Sequence, residues 1–206
     1  MSRKISSFFI TRGIISEDDM DVYAYSFEIL ISTLQSFLTL AALAFISRTS
    51  LETVLFLLGF IPLRMVAGGY HAKNHFRCFL ILLFTYMVFL ILMYVIPTGA
   101  IIPTIISCCS LSVLLVFFLA PSEDENKPLT PEETILFKKK STIAIVCYAA
   151  VNSIFAVFSA HKRFAFALSL GVLTVALSLF ANHIKCKKRQ IPNKVTLHGD
   201  VKMGSE

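Results

Sequence analysis

The sequence predicts an all-α protein, a polytopic integral membrane helical bundle of about six membrane segments, the second of them short and either kinked or re-entrant. Of the 206 residues, 56% are hydrophobic and only 16% charged, and the mean hydropathy is +0.74; soluble domains carry about a quarter charged residues. The apolar residues fall in runs close to the roughly 20 that about 30 Å of hydrocarbon requires. Lys and Arg gather in alternate connecting segments. A single aqueous core could not hide this surface, so residues 1–206 read as one membrane domain. Within it lie an amphipathic and acidic N-terminal segment (1–25), a polar stretch (64–78), a basic loop (121–141) and a basic tail (185–206).

The first residues mix Ile5, Phe8, Phe9, Ile14 and Ile15 with Arg3, Lys4 and Arg12, then turn acidic at Glu17, Asp18, Asp19 and Asp21. They read as a short interfacial helix or a loosely ordered terminus, and no removable signal peptide is apparent. Phe27–Ile46 is long enough to span, with Glu28 at its head either facing water at the membrane surface or serving function. Leu51–Leu63 has about 13 residues, roughly 19 Å of helix. It spans only if Met65, Val66 and Ala67 continue it past Arg64; otherwise it kinks at Pro62 or re-enters. Phe79–Ile96 and Ile101–Ala120 are spans separated by an uncharged turn with Pro97, Gly99 and Pro103. Ser122–Lys140 is polar and leaves the bilayer. Inside it, Thr130 as N-cap, Pro131 at the first helical position and Glu133 form a capping box, which leads into the span Thr142–Ser159. The last span, Phe164–Ile184, ends in the basic tail.

With the N-terminus inside, the inner segments hold 16 of the 19 Lys and Arg and the outer segments 3. That imbalance places both termini and the 64–78 stretch in the cytoplasm. The five cysteines are odd in number and mostly sit in or beside apolar runs, which speaks for reduced thiols rather than a secreted disulfide framework.

The stretch from Arg64 to Cys78 does not belong in lipid. It brings together a thiol, an imidazole, a guanidinium and the adjacent Gly68 and Gly69, which allow a turn without steric cost. A cysteine becomes a good nucleophile when its thiolate is favoured by an imidazole, by cations or by a helix N-terminus. If Asn74 is the N-cap of the third span, Cys78 falls in its first turn, with Arg77 and Lys73 adding positive charge. Seven residues on a continuous helix would put His71 about 10.5 Å along the axis from Cys78. A folded-back turn after Gly68 and Gly69 brings them closer. The other readings are structural: a polar boundary, or a metal pair at His71 and His75. The latter lacks the Glu of a zinc protease, since Ala72 stands in its place, and no metal or other cofactor is expected. Cys108, Cys109 and Cys147 read as small apolar residues within spans, and Cys186 has only His183 beside it.

Arg64, Gly68 and Gly69, His71 with Ala72, and Cys78 resemble in order and spacing the accessory gene regulator protein B (AgrB) family, membrane peptidases of Gram-positive quorum sensing. Glu125, Asn126, Lys127, Pro128 and Leu129, shortly after Pro121, resemble that family's fourth-span loop. The resemblance implies a cysteine endopeptidase in the cell membrane that cleaves an AgrD-like precursor peptide and promotes its cyclisation to a thiolactone or lactone. Cys78 would be nucleophile and His71 base, with Asn74 and Glu28 as candidate third members and Arg64 binding a carboxylate or the oxyanion. Lys138, Lys139 and Lys140 spread about 100° apart on a helix. They read as a positive-inside anchor or, with Lys127 and Arg64, as a surface for the precursor's acidic tail. Membrane lipids and a second copy of the chain are further expected partners; nucleic acid is not. Without the resemblance, a small polytopic transporter or scaffold with a polar pathway at 64–78 competes equally with an enzyme.

Overall fold

The structure, a computed structural model, describes residues 7–10, 16, 19–68, 75–122, 130–157 and 162–200, the side chains of His75 and of residues 188–200 excepted. The long helices are α1 (Met20–Ile46), α2 (Ser50–Ala67), α3 (His75–Val95), α4 (Ile101–Leu119), α5 (Pro131–Val157) and α6 (Lys162–Asp200). A 3-10 turn, Thr98–Ala100, precedes α4. Among the described residues there is no strand, and six helices are long and apolar enough to cross a membrane. The all-α class and the number of segments are as the sequence predicts. Large apolar side chains stand exposed on all six, among them Leu34, Leu58, Phe84, Phe118, Ile154 and Phe180. In water such faces would aggregate; in a bilayer they meet lipid.

The second segment is the shortest of the six and is long and apolar enough to cross a membrane. α2 is one helix of 18 residues with Pro62 inside it, about 27 Å long, and it does run past Arg64 through Met65, Val66 and Ala67. α1 starts seven residues before the apolar run, at Met20, and has 27 residues, about 40 Å. Hydropathy marks the lipid-facing portion of a helix, whereas backbone hydrogen bonding carries it on into the interface. Pro103 belongs to the first turn of α4, not to the preceding loop; a missing N–H costs nothing there. The capping box forms as expected: the Glu133 N–H donates to Thr130 Oγ1 at 3.2 Å and the Thr130 N–H donates to Glu133 Oε2 at 3.0 Å. α5 then continues unbroken to Val157.

The chain forms two compact units, one of Met1–Ser50 with Ala72–Leu90, the other of Leu51–His71 with Ile91–Glu206. In the first, the Phe9 ring stacks on Phe27 at 5.6 Å. α1 ends where Ser47 Oγ and its N–H both donate to Leu43 O, at 2.7 and 2.9 Å, and Arg48 takes φ 55° to turn the chain.

In the second unit α6 is the central helix, buried without interruption from Ala165 to Val172. Leu63 and Ala67 of α2, Val116 of α4, Ile145 of α5 and Val172, Val175, Ala176 and Leu179 of α6 form one core. Between lipid-solvated helices the driving force is close packing, which small residues permit. A Cβ at Gly59 would lie 2.8 Å from Leu168 O, and one at Gly171 would overlap Phe56 O. The contacts at the two ends of these helices make α2 and α6 parallel. Arg163 Nε sits 3.7 Å from Glu52 Oε1 at their starts, and Asn182 and Gly68 both meet Ser122 at their far ends. α4 points the same way, because its exit at Ser122 meets Gly68. α5 runs opposite, with Lys138 on Ala120 O at 2.8 Å and Tyr148 Oη donating to Leu58 O at 2.6 Å.

Candidate functional site

The direction of those helices gathers the polar groups of the second unit at one end. There lie the C-terminal turn of α2 with Arg64 and Gly68, the exit of α4, the start of α5 with its three lysines, and the α6 segment from Asn182 to Lys187. The opposite end holds Glu52 and Arg163, which pair with each other.

α2 closes on the Gly68 N–H, which donates to Arg64 O at 3.0 Å. Gly68 then takes φ 79°, a left-handed conformation that a side chain strains, so the helix cannot continue in register. The Ser122 N–H donates to Ala67 O at 3.0 Å, and Gly68 and Ser122 form a parallel bridge. Arg64, half-buried, holds its guanidinium 5.5 Å from the centre of the Phe60 ring, a cation–π arrangement.

Lys138 donates to Phe117 O and, at 2.8 Å, to Ala120 O, and its ammonium lies 5.3 Å from the Phe117 ring centre. It thus caps the C-terminal carbonyls of α4 and complements the negative end of that helix. Lys139 and Lys140 are exposed; Lys140 Nζ is 5.7 Å from the Phe137 ring centre. The three consecutive lysines face different ways, and one of them is engaged with the backbone.

Cys78, in the first unit, is a free and exposed thiol. It is the fourth residue of α3, in the first turn, where backbone N–H groups lack intrahelical partners and favour an anion. Glu28 is exposed on α1. Gly69, His71, Asn74, Asn126 and Lys127 lie outside the described residues. Cys108 is buried in α4 and Cys109 half-buried beside it, while Cys147 is exposed on α5. An apolar cleft lined by Cys109, Val113, Phe117 and Ala149, among others, is bordered by none of the predicted site residues. Neither Ser122 nor Asn182 is among the site residues that the sequence predicts. The available signal was Asn182 itself, an amide in the last turn of an apolar span, where polar groups are costly.

A family model described as Accessory gene regulator B matches residues 2–180. The chain belongs to the AgrB family. Its six apolar helices and that membership make it a multi-pass membrane protein. The AgrB match takes in Glu28, the whole 64–78 stretch, the 121–141 loop and Ser122, and ends two residues short of Asn182. Protein FsrB of Enterococcus faecalis is 30% identical over 135 residues, which are 64% of this chain and 54% of FsrB. The chain thus spans about half the length of that relative. No solved structure matches it.

Proposed function

We propose that this AgrB-family chain is a membrane cysteine endopeptidase that processes an AgrD-like precursor peptide into a cyclic quorum-sensing signal. One observation carries the reading: the family match runs through the stretch with His71 and Cys78, and the thiol in that stretch is exposed in the first turn of a helix. The Cys78 thiolate attacks the scissile carbonyl carbon, and the tetrahedral intermediate collapses by breaking the C–N bond. His71 holds the thiol proton and passes it to the leaving amine. The C-terminal fragment departs, and the N-terminal part stays on Cys78 as a thioester. An internal Cys thiol or Ser hydroxyl of the peptide then gives its proton to the now neutral His71, attacks that thioester, expels the Cys78 thiolate and closes the ring. Holding the second nucleophile near the thioester is the largest gain open to the enzyme, since effective molarities reach about 10⁵ M or more. The sequence has no phosphate-binding GxxxxGK[ST] loop, so loss of the cleaved fragment is what draws the exchange forward.

Arg64 is suited to a carboxylate or the oxyanion. Six crossings return the chain to its starting side, and the lysine and arginine bias makes that side the cytoplasm. The direct test uses purified protein in lipid nanodiscs with a peptide carrying an amphipathic leader, one internal Cys or Ser and an acidic tail. Release of the C-terminal fragment should fall about 10²–10⁴-fold in His71→Ala and vanish in Cys78→Ala. A transporter or scaffold would leave the peptide intact in every case.

A further inference from the structure

We propose that the cleft between α4 and α5 holds one acyl chain of an anionic phospholipid, and that Lys138 meets the phosphate of its headgroup. The cleft lies within the second unit and measures about 440 Å³. Cys109, Val113 and Phe117, each four residues from the next, form a row along α4, and the small Ala149 of α5 leaves the space beside them unfilled. Eight residues from Cys109 to Phe117 give the cleft a length of about 12 Å. A helix about 10 Å across would take roughly 900 Å³ over that length, about twice the space there is. An extended hydrocarbon chain is the better fit, and it restores the dispersion contacts that an empty groove forfeits.

The charge at one end of the cleft selects the headgroup. Phe117 is the last residue of the row, and the Lys138 ammonium lies 5.3 Å from the centre of its ring, just past the cleft wall. Lys138 and Ala149 are eleven residues apart, three turns of helix, and so share one face of α5. α4 has 19 residues, about 28 Å, which matches the hydrocarbon thickness of a bilayer. Its closing carbonyls, and the ammonium bound to them, therefore stand at headgroup level. An ammonium has three N–H donors, and two of these go to Phe117 O and Ala120 O. Among the described residues its partners are carbonyls and not a carboxylate, which leaves a positive charge and a third donor for an anion. Phosphatidylcholine brings its own cation beside the phosphate; a phospholipid of net negative charge does not. Basic pockets between membrane helices bind anionic headgroups in this way.

The test is native mass spectrometry of the full-length protein, stripped of lipid in detergent and titrated with phosphatidylglycerol or phosphatidylcholine bearing identical dioleoyl chains. Phosphatidylglycerol should be retained about fivefold more strongly. Lys138→Gln, whose amide keeps an N–H for the α4 carbonyls, should bring the two lipids level. Lys138→Arg should keep the preference, as should Lys139→Gln, which removes the same charge about 100° away on the helix. Ala149→Leu, which fills the cleft, should lower retention of both lipids; it leaves the α4 cap untouched and decides the matter if Lys138→Gln does not fold. Equal retention of the two lipids by the unaltered protein would overturn the proposal. So would a preference that survives Lys138→Gln, or one that falls as far in Lys139→Gln, or retention unchanged in Ala149→Leu. Displacement of phosphatidylglycerol by an amphipathic leader peptide lacking the acidic tail would assign the cleft to a peptide and overturn the lipid reading.

Discussion

Gly59 and Gly171 show what one residue can decide inside a bilayer. Neither needs an unusual backbone conformation; each is small because a neighbouring helix passes where a side chain would stand, at Leu168 O for Gly59 and at Phe56 O for Gly171. With no water to expel between helices, that close approach is a main source of cohesion. Gly171→Leu should therefore push α2 from α6 and cost about 1–3 kcal/mol or more, read as a lower midpoint of thermal unfolding in detergent. Gly99→Ala should leave the midpoint unchanged, because nothing lies within 4 Å of a Cβ there. An unchanged midpoint for Gly171→Leu would mean that the two helices are not held by this contact. Such roles are not legible in sequence: a glycine in an apolar run looks the same whether it faces lipid or a partner helix. The Thr130–Glu133 capping box was legible because all its atoms lie within four residues.

At the scale of the helix, local pattern located the elements and long-range contacts set their ends and their jobs. The apolar run of α2 stops at Leu63, yet the helix continues to Ala67, since Arg64 can rest its stem along apolar surface while its head finds Phe60. The lysines at the head of α5 divide in the same way. Lys138 is held by carbonyls at the end of α4, an arrangement set 18 to 21 residues away and invisible in the run Lys138, Lys139, Lys140. Lys138→Gln should accordingly lower the unfolding midpoint, by an amount equivalent to about 1.5–3 kcal/mol for a charge-assisted bond, with little effect on precursor binding. Lys139→Gln with Lys140→Gln should leave the midpoint alone and weaken binding of an acidic-tailed precursor at low salt, the difference shrinking at high salt as screening removes the attraction. Binding that ignores both the substitutions and the salt would leave Lys139 and Lys140 as topology signals.

For the whole molecule, six helices are long and apolar enough to cross a membrane, and in the second unit four of them also show their direction. α2, α4 and α6 run parallel within their unit and α5 runs against them, which is the alternation that successive crossings impose. A re-entrant second segment would have broken it. The charged ends of that unit lie together, and the orientation proposed above, from the positive-inside bias, puts them in the cytoplasm. A membrane-impermeant thiol reagent should accordingly spare Cys78 in intact cells and label it in inverted vesicles; labelling from outside would reverse the assigned orientation. Composition made the class legible and motif spacing made the family legible. The hydrogen bond between Asn182 and Ser122 was not, because 60 residues separate the two partners and no local period links them. The central claim is that Cys78 carries the peptide as a thioester, and it is tested most directly by blocking the second displacement. The protein is incubated with a precursor whose internal Cys or Ser is replaced by Ala, quenched in acid and digested for mass spectrometry. The account predicts a Cys78 peptide acylated by the N-terminal fragment, released by neutral hydroxylamine and absent in Cys78→Ala. Cleaved precursor with Cys78 unmodified at every time point, and cleavage undiminished in Cys78→Ala, would contradict it.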